Sequence, residues 1–190
     1  MIAILHEGNA KKTADNKLIK LLIEDLNLDE KQVRFFGLGS KSEFFKKDID
    51  AYRELLTDIQ EEIISKVLFV VDADYEKDNS QYGGFENTLR EIIDIRKKLN
   101  IYEMSDLYIT CDFDTKEGYL ESLILSSIPL KQKECIETFL DCSEFKSKEN
   151  DKAILNQIYN NAYPNAPYDF SSEKFDILKQ KLKNLFKDEK

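Results

Sequence analysis

Histidine is almost absent from this 190-residue chain, which has a single copy, and there are only three cysteines. Cys111, Cys135 and Cys142 lack finger spacing, and with one imidazole zinc has little to bind here. The odd cysteine count also argues against a disulfide framework; reduced thiols in a cytoplasmic protein are the expectation. No apolar run approaches the roughly 20 residues that span a bilayer, so no membrane association is expected. The N-terminus shows no basic region followed by a long apolar stretch, the mark of a secretory signal. Arginine is scarce, confined to Arg34, Arg53, Arg90 and Arg96. With 28 basic and 37 acidic residues the net charge is −9, which opposes adhesion to long duplexes or anionic lipid. A nucleotide or short single strand fits that charge better, because a local basic patch or a metal inverts the field at one site. Internal repeats and low-complexity tracts are lacking as well.

What the chain has is a rhythm of strands and helices, centred on KVLFVVDADYE at 66 to 76. Five consecutive apolar residues, Val67 to Val71, read as a strand buried on both faces, the habit of a parallel sheet. The run ends on Asp72-Ala-Asp74. Alternation along an extended strand would place both carboxylates on one side, about 7 Å apart. Two such carboxylates repel unless a cation lies between them, and a hard divalent ion such as Mg²⁺ prefers carboxylate oxygens.

The same alternation of elements runs on either side. Residues 2 to 6 form a first strand leading into Glu7-Gly8, with Ala3, Leu5 and Glu7 on one face and Ile2, Ile4 and His6 on the other. A polar loop with Lys11 and Lys12 precedes a helix from about Asn16 to Leu26, capped by Thr13 or Asp15. A second strand is expected over 32 to 38, a helix from about Ile49 to Ser65, and another from Phe85 to Leu99. Residues 107 to 111 make a fourth strand, ending at Asp112 and Asp114, which read as turn formers. A helix opens after Gly118 and stops at Pro129. Beyond it, helices are expected over 131 to 141, 150 to 160 and after Ser172. The pattern predicts an α/β fold: a central, mostly parallel sheet of about four strands with helices on both faces, Rossmann-like in plan. Residues 1–128 form the α/β domain and 129–190 a helical extension packed on it. Right-handed crossovers put every strand's carboxyl end on one edge, where open α/β sheets bind ligands. Glu7, Asp72, Asp74 and Asp112 all fall there.

A strand ending in Glu-Gly (LHEG, 5 to 8) followed by one ending in Asp-x-Asp (VVDADYE, 70 to 76) resembles the Toprim domain. The segment CDFDTKEGYLESLIL (111 to 125) is similar to the small stand-alone OLD-like (overcoming lysogenization defect) members, where a Gly-x-Leu-Glu helix start adds an acid to the site. Those positions are Gly118, Leu120 and Glu121 here, and Lys152 resembles a lysine of that group. The loop after Gly8 is longer and more basic than the family's Glu-Gly-x-x-Asp, which leaves Asp15 without a clear counterpart. The resemblance covers roughly residues 1 to 125 and implies metal-dependent phosphodiester chemistry of a nuclease kind. In that reading Asp72, Asp74 and Glu121 hold Mg²⁺ or Mn²⁺, and Glu7 is the catalytic acid or base. Gly8, Asn9, Lys11 and Lys12 receive the phosphates or nucleotide near a helix N-terminus. The alternative is a protein with the same fold that binds nucleotide and metal without turnover.

Overall fold

The computed structural model describes residues 1–8, 13–78, 81–143 and 168–187. The expected helix over 150 to 160, together with Asn9, Lys11, Lys12 and Lys152, lies outside the described residues. Four strands, β1 (Ile2–His6), β2 (Val33–Gly37), β3 (Lys66–Asp72) and β4 (Ser105–Thr110), form one sheet in the order β2-β1-β3-β4. Every neighbouring pair is parallel. Helices α1 (Ala14–Asp25), α2 (Lys41–Phe44), α3 (Asp50–Gln60) and α4 (Phe85–Lys98) alternate with the strands; α5 (Leu120–Ser127), α6 (Leu130–Cys142) and α7 (Asp176–Leu185) follow.

Strand alternation divides the core into two layers. Ile2, Ile4, Leu68 and Val70 pack with α1, α5 and α7 through Leu18, Leu22, Leu123, Leu178 and Leu182. Ala3, Leu5, Val67, Phe69 and Val71 pack on the other side with Phe44, Tyr52, Leu55, Ile92 and Ile95 from α2, α3 and α4. β1 and β3 read as unbroken apolar runs because both of their faces are covered. The C-terminal segment joins the first layer. Ser172 caps a short 3-10 turn (Glu173–Phe175), and Phe175 is fully buried among α1, α5 and α7 side chains.

One expectation of local structure needs correction, and one element is new. The helix expected to reach Ser65 ends at Gln60, where a turn with Glu62 at φ 59° intervenes. The four-residue α2, too short to show periodicity, was not foreseen. The lysines of the C-terminal helix serve its surface: Lys181 bonds both Asp106 oxygens at 2.8 and 2.9 Å, and Lys179 bonds Asp176 at 3.0 Å. Among the described residues, no helix is long and apolar enough to cross a membrane.

Candidate active site

The carboxyl ends of β1 and β3, neighbours in the sheet, place Glu7 beside the aspartate segment. Ala3 and Leu5 face α2, α3 and α4, and Glu7 continues that side. His6 points to the opposite face, where it is fully buried. Its Nδ1 lies 2.8 Å from the Glu7 carbonyl oxygen and 3.3 Å from the Thr13 hydroxyl. Thr13 in turn accepts from the Asn16 N–H and caps α1. Burial pushes the imidazole pKa down, so His6 is a neutral anchor for the start of α1 rather than part of the acidic edge.

Glu7 Oε1 accepts a hydrogen bond from the Asp72 backbone N–H at 3.0 Å. Burial, reinforced by the negative charge of Asp74, pushes the Glu7 carboxyl up to about 7, against the opposing pull of Lys41 and the Asp72 N–H. Asp15, in the first turn of α1, adds a smaller push in the same upward direction. This carboxyl therefore exchanges a proton near neutral pH.

The two aspartates stand in different backbone settings. The strand ends at Asp72, which is buried. Asp74 takes a left-handed backbone conformation with φ 58°, held by a two-way bridge to Gly118: Asp74 N to Gly118 O at 2.6 Å and Gly118 N to Asp74 O at 3.0 Å. Simple alternation thus fails at the last step. The turn brings Asp74 within electrostatic reach of Glu7, and its Oδ2 lies 3.3 Å from Lys41 Nζ. Gly118 itself has φ 95°, and a methyl group there would overlap the Ser122 hydroxyl, so the close approach requires glycine.

Lys41, which sequence reasoning missed, is the centre of this edge. It is buried, and its ammonium donates to the Asp72 carbonyl at 2.6 Å and the Ala73 carbonyl at 2.7 Å. It starts α2, just beyond β2. A bridge between Gly8 and Gly39, with N–H to carbonyl distances of 2.6 and 3.1 Å, draws the loop after β2 against the end of β1. The lysine then reaches past β1 to β3. The available signal was a lysine two residues after Gly39 at a strand's carboxyl end.

Glu121, at the start of α5, is buried. Burial, with the charges of Asp15 and Glu121 adding to it, pushes the Tyr168 hydroxyl up to about 12. Asp15 therefore lies within electrostatic reach of both groups, Glu7 on one side and Tyr168 on the other. Gly8 contributes a turn (φ 81°) whose Cβ position would lie 2.6 Å from the Thr13 methyl. Its N–H is engaged with Gly39 O, so Gly8 supplies the close approach of the chain rather than a donor for phosphate. Asp112 is a turn former, as expected: Oδ1 accepts from the N–H groups of Asp114 at 2.8 Å and Thr115 at 3.2 Å. Burial opposes its charge, but those donors and Lys133 outweigh it and hold the carboxyl below its ordinary range.

The donors gathered here, carboxylate and carbonyl oxygens, suit a hard cation and not a soft one. Among the described residues no three acids, thiols or imidazoles stand close enough to share one ion. That still fits Mg²⁺, which commonly takes one or two carboxylates and completes its shell with waters and substrate phosphates. Asp74 is the accessible member, 33% exposed, whereas Asp72 and Glu121 are buried.

Fold and edge together define the chain as an α/β protein with an all-parallel sheet whose carboxyl ends gather acids around a buried lysine. No known protein family, curated protein or solved structure gives a significant match to it.

Proposed function

We propose that the chain is a Mg²⁺-dependent hydrolase of phosphodiester or nucleotide phosphoryl bonds, nuclease-like and of Toprim type. The observation that carries this reading is the meeting of the two strand ends: Glu7, after β1, accepts from the Asp72 N–H of β3 at 3.0 Å, and Asp74 pairs with the buried Lys41 at 3.3 Å. A bound Mg²⁺, or Mn²⁺ in its place, supplies neutralising charge for phosphoryl oxygens and a more acidic water. Asp74, the accessible carboxylate, would hold it, with Asp72 and Glu121 as the further acids of the site. Glu7, with a pKa near neutrality, takes a proton from the attacking water or returns one to the leaving oxygen. Lys41 holds the Asp72–Asp74 turn in place while that proton moves.

A nucleotide or short single strand is the substrate class the charge favours. The net charge of −9 and four arginines supply few of the phosphate contacts that a long duplex binder uses. The second reading, a nucleotide and metal binder without turnover, uses the same acids and the same buried lysine. One experiment separates the two. The protein is incubated with Mg²⁺ or Mn²⁺ and a panel of nucleoside triphosphates, short single strands and duplexes. Hydrolysis is expected, falling by about a hundredfold or more in Glu7→Gln, the loss typical of a missing general acid or base. Tight binding of a panel member without product would favour the binder; neither binding nor product would remove both readings.

A further inference from the structure

We propose that the Lys41 ammonium is a resident cation of this edge: it fills a cation site formed by the Asp72 and Ala73 carbonyl oxygens and the Asp74 carboxylate. The inference rests on reading the edge as a place for hard cations, and it assigns one of those places to a side chain of the protein itself.

The geometry carries it. Three oxygens converge on Nζ, at 2.6 Å from Asp72, 2.7 Å from Ala73 and 3.3 Å from Asp74 Oδ2. An ammonium has three N–H donors and no acceptor; two are spent on the carbonyls, and the Asp74 carboxylate pairs with its charge. Backbone carbonyls and a carboxylate are also the ligands that a hard metal ion selects. Lysine is rarely buried unless paired, because removing its charge from water is costly without such compensation. Lys41 is only 7% exposed, and the short helix that begins with it also buries Phe44 in the core, which fixes its origin. The ammonium is a compact point charge on a flexible stem, able to sit among closely spaced oxygens where a planar guanidinium would not.

This arrangement has a consequence for metal loading. Two acids at the end of β3 and one at the end of β1 would otherwise present enough negative charge for a second divalent ion. With one positive charge already seated, repulsion weakens any ion bound next to it. A chelator cannot remove this charge, so the Asp72–Asp74 turn keeps its shape when metal is absent.

The test counts and titrates Mn²⁺ by electron paramagnetic resonance on the whole chain, comparing wild type with Lys41→Met and with Lys41→Gln. The glutamine variant is the milder of the two, because its amide still donates to a carbonyl. Circular dichroism establishes which variants are folded. The proposal predicts that the folded variant takes up one more Mn²⁺ than wild type, or binds Mn²⁺ at least tenfold more tightly. A lysine that merely braces the turn would give the opposite sign, since loosening Asp74 weakens the ion. Equal or weaker Mn²⁺ binding in the folded variant therefore overturns the resident-cation assignment while leaving the hydrolase reading in place. Gain of Mn²⁺ in the variant, with none bound by wild type, supports the assignment and removes the metal-dependent hydrolase. Absence of Mn²⁺ from both overturns both.

Discussion

Glu7→Gln should make the protein more stable at pH 8 in the presence of a chelator, by an amount on the order of 3 kcal/mol, since each tenfold weakening of proton release corresponds to about 1.4 kcal/mol. The folded carboxyl is pushed up to about 7 from an ordinary 4.5, principally by burial and then by Asp74. A group whose folded pKa is raised contributes stability that is fully present below about 4.5 and is lost as the pH rises through 7. Above that point the fold must carry a buried negative charge. The amide keeps an Oε1 to accept the Asp72 N–H and removes the charge. Denaturant melts at pH 4.5 and pH 8 would check it: the gain should be confined to the higher pH. An equal effect at both values would mean that Glu7 is not held protonated by its surroundings.

The second large effect concerns divalent ions. With Mg²⁺ at about 100 times its dissociation constant, linkage predicts stabilisation of about 2.7 kcal/mol, or a melting temperature higher by roughly 5 to 10 °C for a chain of this size. Asp74→Asn should abolish most of that rise, because Asp74 is the exposed carboxylate beside Glu7. The rise should also be greater at pH 8 than at pH 6, since a nearby dication favours the ionised Glu7 that the fold alone disfavours. Identical melts with Mg²⁺ and with chelator would argue against an ion at this edge.

Much of this was readable from the residues. The apolar runs of β1 and β3 and their acidic ends follow from period-two and both-faces-buried patterns, which depend on local sequence. Right-handed crossovers then bring Glu7 and the aspartates to one edge without any knowledge of contacts. The failures have a common cause: they depend on approaches between distant segments. Asp74 leaves the strand's alternation because Gly118, 44 positions later in the chain, bridges to it. Lys41 looked like one of many lysines, since nothing local marks a side chain that crosses β1 to reach β3.

The most direct measurement is a crystal of the protein soaked with Mn²⁺ and a non-hydrolysable nucleoside triphosphate, with the ion located by anomalous scattering. The account predicts a peak about 2.1 to 2.2 Å from an Asp74 carboxylate oxygen, bridged to the nucleotide's phosphates, with Glu7 in hydrogen-bond reach of a water on the ion. Mn²⁺ and nucleotide bound elsewhere on the molecule, with the carboxyl ends of β1 and β3 empty, would contradict it.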